Sequence, residues 1–171
     1  MSRDPSIAVS ARPPNTVAAE DLSAFKQFVL AGGEVNAKTL PSLVSSALSL
    51  AFARIGEELV GVGAIKRPNR RYRAYLFAKA GVMQDPSQFE FELGWVYVRP
   101  SAREKGVASA LVEVLVPLLD GALAYATSRV DNERMHVLLK RSGFRPVGVA
   151  YPSQLNEPAI QLFLCEEPNG K

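Results

Sequence analysis

The chain has one cysteine and one histidine in 171 residues. Cys165 is the single cysteine, so an internal disulfide is excluded. A structural zinc site built from Cys and His is excluded with it. No apolar run approaches the roughly 18 residues that a membrane-spanning helix needs. The opening residues, Met1-Ser2-Arg3-Asp4-Pro5, contain no apolar core of a secretory signal. Internal repeats and low-complexity segments are missing too. The expectation left by these absences is a cytoplasmic protein with no metal and no membrane partner.

What is present is ordinary for a soluble globular chain: 47% hydrophobic and 22% charged residues. A chain of this size buries roughly 70% of the surface its unfolded form exposes, enough for a real core. One domain is expected over residues 6–165, with loose, polar ends at 1–5 and 166–171. The net charge of +3 tolerates an anionic cofactor or an RNA partner without requiring either.

Hydrophobic periodicity orders the elements. Ile7 to Ala11 reads as a strand, and Thr16 is placed to cap a helix carrying Leu22, Phe25, Phe28 and Val29 at helical spacing, stopped by Gly32-Gly33. A second helix fits Leu40 to Leu48. Ser49 to Arg54 and Leu59 to Ile65 form a hairpin around Ile55-Gly56-Glu57-Glu58. Residues 66–90 carry no clear period. They hold a basic cluster, Lys66, Arg67, Arg70, Arg71 and Arg73, with Tyr72 among them. A strand over 90–98 leads into a helix from Ala108 to Val116, which Pro117 bends or ends. Ala122 to Ser128 is a strand, Asp131 to Ser142 a helix, and Arg145 to Ala150 and Ala159 to Cys165 are closing strands. The layout is mixed α/β, neither regular βαβ alternation nor all-β.

The segment Val98-Arg99-Pro100-Ser101-Ala102-Arg103-Glu104-Lys105-Gly106-Val107-Ala108 lies where a strand ends and a helix begins. There the first helical N–H groups lack intrahelical partners and the macrodipole is positive, so phosphate binds readily. Gly106 lets the backbone come close, and Arg103 and Lys105 add full charges. A Walker A loop, Gly-x-x-x-x-Gly-Lys-Ser/Thr, is absent. Gly61-x-Gly63 sits inside a strand with no third glycine, which rules out a dinucleotide fingerprint. What remains is Arg-x-x-Gly-x-Ala over residues 103–108.

That loop resembles the coenzyme A pyrophosphate loop of the GNAT superfamily of acyl-CoA-dependent N-acyltransferases. A second stretch, Asn132 through Leu138-Leu139-Lys140-Arg141-Ser142-Gly143-Phe144, is similar to the family motif in which an asparagine opens a helix ending in Gly-Phe. The resemblance implies the GNAT fold, an α+β domain with a mixed, mostly antiparallel sheet of about six to seven strands flanked by about four helices. It implies transfer of the acetyl group of acetyl-CoA to a primary amine, on a small molecule or a protein, by direct attack in a ternary complex. Cofactor contacts then fall on Val96, Tyr97, Val98, Arg103, Glu104, Lys105, Gly106, Val107, Ala108 and Asn132. The Val96 N–H becomes the oxyanion donor. Asn132 reads equally as a helix cap.

Glu92 stands eleven residues before Arg103 and fourteen before Gly106, the offset at which relatives with a strand glutamate place their general base. Period-two alternation puts Glu92, Gly94, Val96 and Val98 on one face, with Leu93, Trp95 and Tyr97 on the other. Apolar neighbours would raise the carboxyl pKa by desolvation, which suits a base near neutral pH. One position departs from the family: Leu139 stands where many relatives carry a tyrosine that protonates the leaving thiolate, and Thr127 where some carry a second glutamate. His136, Tyr125 and Tyr151 are the replacement acids to consider, or the thiolate leaves unaided. Two alternatives stay open. One is a non-catalytic acyl-CoA-binding or regulatory module. The other is an acetyltransferase acting on aminoacyl-tRNA, with the basic cluster gripping RNA. A monomer and a homodimer are both compatible with the sequence.

Overall fold

The computed structural model describes residues 6–33, 35–153 and 158–166. The expected loose ends, Glu166 apart, lie outside that range. Among the described residues the chain forms seven strands and five α-helices. The chain divides into two compact units, the first made of residues 1–66 and 95–115 and the second of residues 67–94 and 116–171.

In the first unit, β1 (Ile7–Arg12), β2 (Ser49–Ile55) and β3 (Glu58–Lys66) form an antiparallel ladder. Its register sets Ala51 opposite Gly63 and Ala53 opposite Gly61, so one face of the ladder is lined with small side chains. On that face lies α4 (Val107–Leu115), the amphipathic helix expected after the loop. A Cβ on Gly61 would come within 2.8 Å of Val107 Cγ1 and 3.3 Å of Leu111 Cδ1. The Gly-x-Gly pair that fails as a nucleotide motif is therefore a seat for a helix. The opposite face carries Leu50, Phe52, Val62 and Ala64, covered by α1 (Ala19–Ala31) and α2 (Leu40–Ser46) through Phe25, Val29, Leu40 and Val44. Thr16 does not cap α1. Its hydroxyl donates to the Pro13 carbonyl within a 3-10 turn, and Ala18 opens the helix with no side-chain cap.

In the second unit, β5 (Ala124–Arg129), β7 (Ile160–Cys165) and β6 (Arg145–Tyr151) pair antiparallel in that order. One face holds Tyr125, Leu162 and Leu164, packed by Leu76, Phe77 and Ala80 of α3 (Arg70–Ala80). The other face receives α5 (Glu133–Arg141), where the His136 ring meets Phe163 edge-on at 4.9 Å. Between Val147 and Tyr151 the β6 register shifts, so three residues of β6 face Gln161 alone. Gly148 sits in this bulge at φ +65, and a Cβ there would lie 2.1 Å from the Ala80 carbonyl oxygen.

β4 (Phe91–Val98) passes from the second unit into the first, and the hydrogen-bonded strand order is β1-β2-β3-β4-β5-β7-β6. The fold is the mixed, mostly antiparallel sheet expected, with one helix more. Helix α3 rises out of the segment that showed no clear period. Asn69 caps it by accepting from Tyr72 N at 2.9 Å, and Gly81 ends it at φ +68.

Candidate functional site

Two clusters bear on function, one in each unit. In the first, β4 ends at Val98, a 3-10 turn spans Pro100–Ala102, and α4 begins at Val107. Between them Glu104 takes φ +66 and Gly106 φ +80. The left-handed conformation is costly for glutamate and free for glycine. Nothing lies within 4 Å of where a Gly106 Cβ would stand, so the backbone faces open space. The Gly106 carbonyl accepts from Ala110 N at 3.0 Å and starts the helix. The first-turn N–H groups, those of Val107, Ala108 and Ser109, have no intrahelical acceptor by geometry. Arg103 is already oriented: its Nε donates to the Val98 carbonyl at 3.1 Å and its guanidinium lies 5.7 Å over the Tyr97 ring. Glu104 and Lys105 are exposed. Open space, unfilled donors and positive charge at one helix start fit a diphosphate.

Within the first unit's part of β4, the side chains of Trp95 and Tyr97 pack toward α1, edge-on to Phe25 at 6.0 Å and Phe28 at 6.1 Å. Val96 points the other way, to the Gly63 and Leu115 side. Trp95 itself has φ +53. Over residues 95–97 the sides are those expected from alternation, with Trp95 and Tyr97 on one face and Val96 on the other.

In the second unit, β4 pairs with β5 in parallel through Phe91↔Ala124 and Glu92↔Tyr125. Glu92 and Tyr125 are thus strand neighbours on one face. The Tyr125 hydroxyl donates to Glu92 Oε2 at 3.0 Å, and Glu92 is only 4% exposed. The setting of the proposed base is therefore polar as well as buried, where the sequence suggested apolar neighbours alone. Burial first, and then the Glu92 charge, push the Tyr125 phenol well above its usual range. The same two causes raise Tyr151. Both stay protonated near neutral pH, and both are weaker proton donors to a thiolate than an ordinary tyrosine.

The other expected residues fall as follows. Asn132 Oδ1 accepts from Met135 N at 3.2 Å, capping α5. His136 is half-buried, and its Nε2 bonds the Arg129 carbonyl at 2.9 Å. A carbonyl only accepts, so Nε2 carries the proton and a neutral ring has none to offer at Nδ1. Leu139 is buried in the core. In the basic cluster Lys66 sits 4.6 Å over Trp95, Arg67 stands 5.7 Å over Phe91, Arg73 is buried, and Arg67, Arg70 and Arg71 are exposed. Sequence reasoning missed the burial of Arg73, whose Nη1 donates to the Phe89 carbonyl at 2.8 Å. The spacing of Arg73, Leu76, Phe77 and Ala80, one face of a helix, was the available signal. Among the described residues there is no cluster of His, Cys, Asp and Glu able to hold a metal, and no helix long and apolar enough to cross a membrane.

Comparison with known proteins adds the following. The model of the GNAT acetyltransferase family matches residues 21–144. No curated protein matches in sequence. Among solved structures, the ribosomal-protein-S18-alanine N-acetyltransferase of Escherichia coli superposes with TM-score 0.66 at 16% identity, over 97% of each chain. Arabidopsis thaliana NAA60, solved with acetyl-CoA, gives 0.63 at 20% identity over 92% of this chain and 98% of that one. FeeM, an N-acyl amino acid synthase from uncultured soil microbes, gives 0.68 at 14% over 93% and 91%. At these identities the likeness is one of fold.

Proposed function

The chain belongs to the GNAT acetyltransferase family, and from that premise we propose that it moves the acetyl group of acetyl-CoA to a primary amine by direct attack. The observation that carries the reading is the loop before α4, with Glu104 and Gly106 left-handed and open space in front of Gly106. The N–H groups of Gly106, Val107 and Ala108, with Arg103 and Lys105, hold the cofactor diphosphate. The Val96 N–H stabilises the oxyanion, and the backbone of Tyr97 and Val98 lines the cofactor arm.

Glu92 takes the proton of the attacking amine. One carboxylate oxygen already accepts from Tyr125, which fixes the side-chain rotamer. The thiolate leaves without a dedicated acid: Leu139 has no proton, His136 is turned to a backbone carbonyl, and both tyrosines are shifted away from donation. A coenzyme A thiol is acidic enough for this.

Purified protein with acetyl-CoA and a panel of amines, read by free thiol, tests the assignment. Thiol release well above that of Glu92→Gln is expected. Tight acetyl-CoA binding with no release on any amine would instead establish the non-catalytic binding module, for which the buried Leu139 is the supporting observation.

A further inference from the structure

The proposed base sits among buried polar groups that are not all used. Around Glu92 the second unit gathers Tyr125 from β5, Tyr151 from the end of β6 and Arg73 from α3: Tyr125 bonds Glu92, Tyr151 lies with Tyr125 in the core cluster that Leu76 and Phe77 of α3 enter, and Arg73 is on the same buried face of that helix. Tyr125 spends its proton on Glu92. Two other donors spend theirs on nothing. Arg73 is 7% exposed and its Nε has no hydrogen-bond partner. Tyr151 is 6% exposed and its hydroxyl has none either.

Such vacancies are uncommon. Leaving a buried donor unsatisfied costs about 1–3 kcal/mol, and more for a charged one. Arg73 is the sharper case. Its guanidinium always carries charge, its one hydrogen bond goes to a neutral carbonyl, and no carboxylate lies within ion-pair distance of it among the described residues. Buried charges in folded proteins are normally paired. The Arg73 Nε–H can only donate and the Tyr151 hydroxyl can also donate, so one acceptor would satisfy both, and the cation asks for a negative one. The same cluster also carries Glu92, which attracts an ammonium.

We infer that Arg73 and Tyr151 bind the carboxylate of the acceptor, so that the amine acetylated belongs to an amino-carboxylate, a free amino acid or a close analogue. This rests on the acetyltransferase reading above and narrows it. Glu92 meets the amino end and takes its proton. The Arg73 Nε–H and the Tyr151 O–H meet the carboxylate oxygens. Charge is balanced at both ends: the zwitterion brings one positive and one negative group to a site that offers the reverse. Amines without the carboxylate leave Arg73 uncompensated and are disfavoured on that ground. Arg73 and Tyr151 are specificity residues in this scheme, and the acetyl transfer itself does not pass through them.

The experiment compares the common amino acids with their carboxamides, each at saturating acetyl-CoA, by release of free thiol. The wild type is expected to favour the carboxylate form by at least about tenfold in kcat/KM, the worth of one charge-assisted hydrogen bond. Tyr151→Phe removes a single oxygen. It should reduce that preference through the acceptor KM, with the KM for acetyl-CoA unchanged. Arg73→Gln should abolish the preference. If Arg73→Gln does not fold, Tyr151→Phe still decides. A second readout avoids turnover: with coenzyme A present, amino acids should raise the melting temperature of the wild type more than their carboxamides do, and not that of Tyr151→Phe. Equal turnover of acids and carboxamides, or peptides with a free amino end used as well as free amino acids, would overturn the inference and leave the acetyltransferase reading intact. Thiol release with other amines of the panel but with neither set would overturn the inference alone, and no thiol release with any amine would overturn both.

Discussion

The two units solve different problems with different parts of the chain. The first offers the proposed phosphate site almost wholly from backbone: a helix start, two left-handed residues, and a helix seated on glycine and alanine. The second offers the proposed chemical site from side chains: a buried carboxylate, two buried phenols and a buried guanidinium. A backbone site of that kind would recognise what all acyl-CoA molecules share and ask little of side-chain identity. A side-chain site recognises what is particular to one acceptor, and each residue in it is exposed to the cost of being left unpaired.

Substitutions can break that contrast. The largest effect is expected in the second unit. Glu92→Gln keeps the shape of the side chain but cannot take a proton, so kcat should fall by about 10²–10⁴. Acetyl-CoA affinity, measured by calorimetry, should be unchanged. A comparable loss of affinity would mean that Glu92 supports the fold instead of the chemistry.

Next comes Gly148→Ala. Its positive φ and the 2.1 Å approach of the Ala80 carbonyl to a Cβ make this a crowded glycine. We expect a loss of about 3 kcal/mol in denaturant unfolding. Gly106→Ala offers the matched test in the first unit. With no atom within 4 Å it meets only the φ penalty, about 1 kcal/mol of stability, and a weaker hold on acetyl-CoA. Equal stability losses at the two positions would erase the contrast between a crowded glycine and an open one.

Arg103→Ala should raise the apparent KM for acetyl-CoA by about tenfold, with a smaller change in kcat at saturation. A fall in kcat alone would remove Arg103 from the cofactor loop. The smallest effect is expected at Asn132→Ala, about 1 kcal/mol of stability through the lost cap. A KM increase for acetyl-CoA beyond what that destabilisation explains would show a second, cofactor role.

The first unit was also the more legible in the sequence. Arg103, Gly106 and the helix after them sit where strand and helix periods meet, and local pattern encodes that junction directly. The core face of α1 followed from spacing as well. The second unit was less legible because its packing depends on partners far apart in the chain. Helix α3 buries Arg73 in line with Leu76, Phe77 and Ala80, and a cation at a core position broke the hydrophobic pattern that would have revealed the helix. The bond from Tyr125 to Glu92 joins residues 33 apart and appears only once β4 and β5 are in register. Trp95 at φ +53 had no local signal at all, since tryptophan is a residue normally read as extended.

The bulge in β6 has a consequence for how the protein behaves in a crowd. β6 ends the strand order, and an edge strand offers unpaired N–H and C=O groups to any passing chain. Here Gly148, Val149 and Ala150 are out of register, and Pro146 supplies no N–H. Even with Val149 exposed, that edge cannot template a continuous ladder. β1, at the other end of the order, is regular over all six of its residues. Strand-to-strand association between copies, including the slow aggregation that follows heat or overexpression, would therefore start at Ile7–Arg12 and spare β6.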